Sequence, residues 1–160
     1  MANYLYVDNS NVWIEGMHLS AVSKGLAASL TAAQDQNICD HTWRADFGRL
    51  LAFAGGGRGD IRRAVLYGSR PPPNDSLWAA AEREGFEVVV HDRSVSRREK
   101  KVDTNIATDI VGDSFELMTP GEDEFTLVAG DADYVPVVER AGTRGIPFYV
   151  VFWAHGAREL

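Results

Sequence analysis

Short apolar runs and longer amphipathic stretches alternate along the chain. Five runs have the length of strands: Tyr4–Val7, Ile61–Tyr67, Phe86–His91, the run that starts at Phe125 and breaks at Gly130, and Pro147–Trp153. Apolar residues recur at helical spacing in four stretches between them: Trp43–Ala54, Asp75–Glu84 with Asn74 as its N-cap, Asp103–Met118 and Tyr134–Ala141. This alternation predicts a three-layer α/β/α sandwich around a mostly parallel sheet of about five strands.

The tract Val12–Asp40 fits this alternation least well. It is rich in alanine and only weakly periodic, and Gly16 and Gly25 interrupt it. The pattern leaves open one helix, two helices or a mobile insertion. The later glycine run, Gly55–Gly57, ends a helix and lacks the spacing of a dinucleotide-binding fingerprint, so it does not indicate a nucleotide cofactor.

Four carboxylates are predicted at one edge of the sheet. Asp8 follows the first strand, Asp131 and Asp133 follow the fourth, and Asp103 begins the helix after the third. Loops that follow parallel strands emerge at the same edge, where open α/β sheets bind ligands. At 100° per residue Asp103 heads the face that packs on the sheet, whereas Asp109 points about 120° away. The alternative interpretation is that Asp103 and Asp133 are each the N-cap of a helix.

A hard divalent cation would explain such a set of acids. Clustered carboxylates repel one another unless a cation or protons are present. Mg²⁺ and Mn²⁺ prefer oxygen ligands and are commonly held by a few carboxylates. Zinc and disulfide bonds are disfavoured, because Cys39 is the only cysteine and the four histidines are scattered.

The distribution of basic residues is more informative than the net charge. A net charge of −7 is not typical of a nucleic-acid-binding domain. Of the 16 basic residues 13 are arginine, and five fall within nine positions: Arg93, Arg97, Arg98, Lys100 and Lys101. Arginine suits phosphate recognition, although a charged run is also typical of a solvated face. A metal that activates water, beside arginines that hold phosphates, indicates phosphodiester hydrolysis.

Length and composition predict one domain over residues 1–160, since 160 residues of which 45% are hydrophobic can form one core. The N-terminus enters a strand without a signal-like segment and no apolar run reaches membrane-spanning length, so we expect a cytoplasmic protein. Other designs for phosphoryl or acyl transfer are excluded. Ser10 stands where a haloacid-dehalogenase-type site needs a second acid, and neither a P-loop nor a GxSxG motif occurs.

Three segments together resemble the signature blocks of a known family. They are VDNSN (Val7–Asn11), KKVDTNIATDI (Lys100–Ile110) and AGDADYVPVVERAGTRG (Ala129–Gly145). In this order they resemble NYN domains, the LabA-like branch of the PIN-like ribonuclease superfamily. The resemblance implies a PIN-like Rossmannoid fold and metal-dependent cleavage of RNA, with single-stranded RNA as the expected partner.

The resemblance also implies roles for individual residues. The family's catalytic and metal-binding acids fall on Asp8, Asp103, Asp131 and Asp133, and its supporting polar residues on Asn11 and Asp109. We expect the RNA backbone to be held by Arg97, Arg98, Lys100 and Lys101. The chain departs from the family pattern at Lys101, where a small residue is common, and at Tyr134, where phenylalanine is usual.

Two hypotheses for the function follow. The first is a Mg²⁺- or Mn²⁺-dependent ribonuclease, and the second is a noncatalytic RNA-binding or regulatory module of the same fold. A further expectation concerns the last residues, because Ala157–Leu160 resembles the start of a closing helix that is not completed. An apolar flank left exposed there predicts a homodimer or lower stability.

Overall fold

Parallel strands form the centre of the molecule. A computed structural model describes residues 1–57, 60–70, 76–92 and 98–154, without the side chains of 70, 92 and 98–101. Within these ranges the strands are β1 (Ala2–Asp8), β2 (Ile61–Arg70), β3 (Glu87–Asp92), β4 (Asp123–Val128) and β5 (Phe148–Val150). Their order in the sheet is β3-β2-β1-β4-β5, and every neighbouring pair is parallel. The direction of winding therefore reverses between β1 and β4.

Helices cover both faces of this sheet. They are α1 (Asn9–Ser23), α2 (Leu30–Asp35), α3 (Phe47–Gly55), α4 (Ser76–Glu84), α5 (Arg98–Glu116) and α6 (Val135–Gly142), with a 3₁₀ turn at Ala132–Tyr134 before α6. In the part of the chain that the structure describes, no helix is both long and apolar enough to cross a membrane.

The two apolar cores follow from the alternation of side chains along the strands. On β1, Tyr4 and Tyr6 point to the layer formed by α5 and α6, whereas Leu5 and Val7 point to the layer that contains α1, α3 and α4. All four side chains are buried. A strand that is covered on both faces has to be apolar on both, which is why β1 reads as a continuous apolar run. The predicted three-layer α/β/α architecture is confirmed, with a sheet that is entirely parallel within the described residues.

Helix α5 begins earlier than its sequence pattern predicts. The predicted start at Asp103 is wrong, since the helix already begins at Arg98. Val102 is buried and lies one turn before Ile106 and two turns before Ile110, so it extends the apolar face of the helix by a turn. The arginine, glutamate and lysine residues before it also favour helix. Asp103 is consequently inside the helix, and its interpretation as an N-cap is excluded.

The tract Val12–Asp40 is helical and packed rather than a mobile insertion. Asp40 holds the end of this tract against α1. The buried Asp40 carboxylate accepts hydrogen bonds from the Ser20 hydroxyl (2.6 Å) and the Lys24 ammonium (2.7 Å). The hydroxyl and the backbone N–H of Thr42 also donate to it, at 2.6 and 2.9 Å. The Lys24 ammonium and these donors hold the pKa of Asp40 well below its ordinary value.

One further boundary differs from the prediction, and two predicted features lie outside the described residues. The last strand was predicted over Pro147–Trp153, but β5 is shorter and pairs with β4 only over Phe148–Val150. The predicted N-cap Asn74 and the segment Ala157–Leu160 lie outside the described residues.

Candidate functional site

The carboxyl ends of the two central strands bring separate segments together. Asp8 is the last residue of β1, and Asp131 follows β4 after Ala129 and Gly130. Asp131 is the N-cap of the 3₁₀ turn, where its Oδ1 accepts a hydrogen bond of 3.0 Å from the backbone N–H of Asp133. The N-cap of α6 is Tyr134, and no side chain among the described residues caps this helix, so the interpretation of Asp133 as an N-cap is wrong. The turn places both carboxylates at the edge where the winding reverses.

Three of the predicted acids form a group. Asp103, Asp131 and Asp133 each offer a carboxylate oxygen, and the three oxygens lie within 4.8 Å of one another. Asp103 and Asp131 are half-buried, while Asp133 is exposed. Among the described residues, neither Asp131 nor Asp133 forms an ion pair with a basic side chain. An all-oxygen donor set of like charges fits Mg²⁺ or Mn²⁺, which would offset the repulsion.

Asp8 lies beside this group, separated from it by a tyrosine hydroxyl. Its Oδ1 accepts from the backbone N–H of Asn11 (3.2 Å), which makes Asp8 the N-cap of α1. The Tyr134 hydroxyl is 3.0 Å from Asp8 Oδ2 and 3.1 Å from Asp103 Oδ1. Asp8 is only 5% exposed, and burial raises its pKa to about 6, helped by the charges of Asp103 and Asp131. The same burial and the two neighbouring carboxylates raise the pKa of Tyr134.

The side chain of Asn11 connects the two loops that carry these acids. Its Oδ1 accepts a hydrogen bond of 2.8 Å from the backbone N–H of Gly130, so the start of α1 is tied to the loop after β4. The absence of a side chain at Gly130 leaves room for the ring of Phe152, since a Cβ atom there would lie 2.1 Å from that ring. Asn11 therefore supports the geometry of the site through backbone contacts.

Asp109 lies further along α5 and is not part of the three-carboxylate group. It is six residues after Asp103 on α5, which corresponds to about 9 Å along the helix axis. Its Oδ2 accepts a hydrogen bond of 2.5 Å from the hydroxyl of Tyr67 on β2. Burial and this carboxylate raise the pKa of Tyr67. The structure thus places Asp109 in a contact between α5 and the sheet.

The predicted RNA-binding residues precede Asp103 in the chain. Arg98, Lys100 and Lys101 belong to the first turn of α5, whereas the predicted start of this helix at Asp103 left them outside it. Their side chains, and the whole of Arg97, lie outside the described residues. Their role in RNA binding stays a prediction.

Tyr134 is the residue of the site that sequence reasoning missed. Its hydroxyl is the only group for which contacts to both Asp8 and Asp103 are seen in the described part of the chain. The available signal was the departure from the family pattern, in which phenylalanine is usual at this position. Tyrosine adds one oxygen atom to that pattern, and this atom lies between two of the predicted catalytic acids.

Comparisons with known proteins agree with this architecture. The family model for the NYN domain matches residues 9–160. A crystal structure of a protein of unknown function from Vibrio parahaemolyticus is similar, with a TM-score of 0.65 and 17% sequence identity over 98% of this chain and 86% of that chain. At this identity the likeness shows the fold alone. A search of curated proteins found no match.

Proposed function

The chain belongs to the NYN domain family, and from this premise we propose that it is a metal-dependent ribonuclease that hydrolyses phosphodiester bonds of single-stranded RNA. The observation that carries the proposal is the group formed by Asp103, Asp131 and Asp133, whose oxygens lie within 4.8 Å of one another. It lies where the winding of a parallel sheet reverses, as expected for a ligand site in this fold class. The NYN domain has a PIN-like nuclease fold, which makes cleavage of RNA the chemistry to test first.

The residues of the chain have distinct parts in this proposal. Asp103, Asp131 and Asp133 would hold Mg²⁺ or Mn²⁺, and Asp8 would supply a fourth carboxylate beside them. A bound cation of this kind supplies Lewis acidity, which lowers the pKa of water and neutralises charge that develops on a phosphoryl oxygen. Asn11 keeps the loop after β4 against α1 through its contact with Gly130.

Binding of the RNA backbone is assigned to the basic residues before the acids. Arg97, Arg98, Lys100 and Lys101 precede Asp103 by two to six residues. Phosphates that they hold would therefore lie close to the carboxylate edge. Two finer assignments belong to the same proposal. The first is the LabA-like branch, which the three sequence blocks resemble, and the second is a cytoplasmic location.

The Asp103→Asn variant tests the proposal directly. Purified protein is incubated with end-labelled single-stranded RNA and Mn²⁺, and cleavage is followed on a gel. We expect Asp103→Asn to lower kcat/KM on the order of 100-fold, because the lost carboxylate holds the cation that stabilises the transition state. Chelation by EDTA should stop cleavage by the unmodified protein.

The matched control is Asp46→Asn. Asp46 is an exposed carboxylate at the N-cap of α3, a position that asparagine also caps well. We expect it to cleave at the unmodified rate. Equal cleavage by Asp103→Asn would show that the proposed site is wrong, and tight RNA binding without cleavage in Mn²⁺ would favour the noncatalytic RNA-binding module.

A further inference from the structure

The hydroxyl of Tyr134 is held at a fixed point between two elements of the site. The ring is 1% exposed and belongs to the apolar cluster between the sheet and the layer of α5 and α6. Packing therefore determines where the oxygen lies, at 3.0 Å from Asp8 Oδ2 and 3.1 Å from Asp103 Oδ1. Asp8 ends β1 and Asp103 is on α5, so one hydroxyl joins residues from two separate layers.

Two other tyrosines show what a simple contact with α5 looks like. The Tyr67 hydroxyl donates to Asp109 at 2.5 Å, and the Tyr6 hydroxyl donates to Asp113 at 2.6 Å. Both distances are short, and each of these hydroxyls donates to one carboxylate among the described residues. A phenol carries a single proton, so the longer and nearly equal distances at Tyr134 are those of a hydroxyl shared by two acceptors. Tyr134 thus differs from its neighbours in geometry as well as in position.

The shared hydroxyl limits how both carboxylates can turn. The other oxygen of Asp8 is already engaged by the backbone N–H of Asn11, so this carboxylate has two fixed contacts. Asp103 Oδ1 faces the hydroxyl, and Asp103 also contributes an oxygen to the group with Asp131 and Asp133. Hydrogen-bond partners of this kind orient metal-binding carboxylates and affect metal affinity strongly.

We propose that Tyr134 is a positioning residue, whose hydroxyl links Asp8 to Asp103 and orients Asp103 toward Asp131 and Asp133 for binding of a divalent cation. The proposal rests on the metal site of the proposed function, but it does not depend on the cleavage of RNA. Tyr134→Phe is the sharpest variant, since it removes one oxygen atom and leaves the buried ring in place. The residue acts through its carboxylate neighbours, so metal affinity is the property to measure.

The experiment compares Mn²⁺ binding by the full chain and two variants with isothermal titration calorimetry. We expect Tyr134→Phe to weaken Mn²⁺ binding about 10- to 100-fold, the usual effect of removing a partner that orients a metal ligand. Tyr4→Phe is the matched control, because it also removes the hydroxyl of a buried tyrosine of the same apolar cluster, one whose described hydrogen bond is to the carbonyl oxygen of Leu117 (3.5 Å) and not to an acid. We expect its Mn²⁺ affinity to be unchanged. If Tyr134→Phe binds Mn²⁺ as tightly as the unmodified chain, or if the unmodified chain does not bind Mn²⁺, the proposal is wrong.

A second experiment leaves Tyr134 unaltered, so its result does not depend on whether the Tyr134→Phe variant folds. The protein is labelled with 3-fluorotyrosine, and its ¹⁹F spectrum is recorded as Mg²⁺ is added. We expect the resonance of Tyr134 to shift while that of Tyr4 stays in place, and an unmoved Tyr134 resonance would overturn the proposal.

Cleavage assays separate this proposal from the proposed function. Where RNA is cleaved, raising the Mn²⁺ concentration should restore the rate of Tyr134→Phe, which a general structural defect would not allow. A chain that binds Mn²⁺ with the expected ranking of variants, yet cleaves no RNA, would contradict the ribonuclease and support the role of Tyr134.

Discussion

Asp8 is the acid of the site that is most shielded from water, and this has a consequence for stability. Burial raises its pKa from the ordinary value of 3.8 to about 6. The folded state therefore binds this proton more tightly than the unfolded state does. The corresponding stability is fully present below about pH 4 and is lost as the pH rises through 6. At neutral pH the ionised carboxylate costs the metal-free protein up to about 3 kcal/mol.

We expect Asp8→Asn to be more stable than the unmodified protein at pH 7.5 in EDTA, by about 1 to 3 kcal/mol. Asparagine is uncharged and can still cap α1, and its amide can donate to the Tyr134 oxygen. Urea denaturation at pH 4 and pH 7.5 measures the difference, which should be near zero at the lower pH.

The control for this prediction is again Asp46→Asn at the exposed N-cap of α3. Because water already solvates the Asp46 carboxylate, this variant should lack the gain in stability that Asp8→Asn shows at pH 7.5. An Asp8→Asn variant that gained no stability between pH 4 and pH 7.5 would contradict the burial of an unfavourable charge at this position.

At the scale of elements, α5 is held to the sheet by polar contacts as well as by its apolar face. Asp113 accepts a hydrogen bond from the Tyr6 hydroxyl and forms an ion pair of 2.5 Å with Arg63 on β2. Burial and the Asp113 carboxylate raise the pKa of Tyr6. These contacts fix the position of α5 along the sheet. They therefore also fix the position of Asp103, which is near the N-terminal end of this helix.

Two helical glycines test how closely the elements pack. In α1, a Cβ atom on Gly16 would lie 2.4 Å from the Trp43 ring, which itself contacts the rings of Trp13 and Trp153. In α5, a Cβ atom on Gly112 would have no described heavy atom within 4 Å apart from those of its own helix backbone and its chain neighbours. The same substitution should therefore have opposite effects at the two positions.

We expect Gly16→Ala to lower the free energy of unfolding by about 1 to 2 kcal/mol, the cost of overpacking less the gain in helix propensity. We expect Gly112→Ala to raise it by about 0.5 to 1 kcal/mol, because alanine favours the helix without a clash. Urea denaturation of both variants at one pH measures the two values. A stabilised Gly16→Ala protein would show that the tryptophans do not pack against α1 as described.

At the scale of the whole molecule, the site should couple metal binding to folding. The group of Asp103, Asp131 and Asp133 exists only when β4 and α5 are assembled, so a cation that binds it stabilises the folded state. At a metal concentration of 100 times Kd the gain is about 2.7 kcal/mol. For a domain of this size we expect Tm to rise by about 5 to 10 °C when Mg²⁺ or Mn²⁺ replaces EDTA.

A triple substitution of these acids by asparagine should abolish the rise in Tm. It should also make the protein more stable in EDTA, since the repulsion between carboxylates is removed. The control is a triple asparagine variant with the same change in charge at the exposed acids Asp35, Asp46 and Asp60. An equal rise in Tm for both triple variants would contradict binding at the proposed group.

Self-association is a further prediction from the sequence, and it concerns the whole molecule. The side chains of Phe148 and Tyr149 are 40% and 51% exposed, and they lie on β5, an edge strand of the sheet. Exposed edge strands are common places for pairing with another chain. The homodimer itself stays a prediction.

Much of the fold was predictable because its signals are local. Tyr4–Val7 reads as a buried strand from its own residues, and the acids after β1 and β4 follow from chain order alone. The start of α5 was misplaced because Asp103 resembles an N-cap, although Val102 continues the apolar face of the helix. The tract Val12–Asp40 could not be assigned, since the contacts of Asp40 with Ser20 and Lys24 cross between segments that are far apart in the pattern.

The sequence by itself determined that strands and helices alternate, and that Asp8, Asp103, Asp131 and Asp133 meet at one edge of a parallel sheet. Periodicity and the direction of strands are sufficient for that. Only the tertiary structure decided that three of these acids form a group while Asp8 is buried beside them. The Tyr134 hydroxyl lies between Asp8 and Asp103, from which Tyr134 is 126 and 31 residues away in the sequence. Contacts between residues so far apart in the sequence depend on how α5 packs on the sheet, which no local pattern encodes.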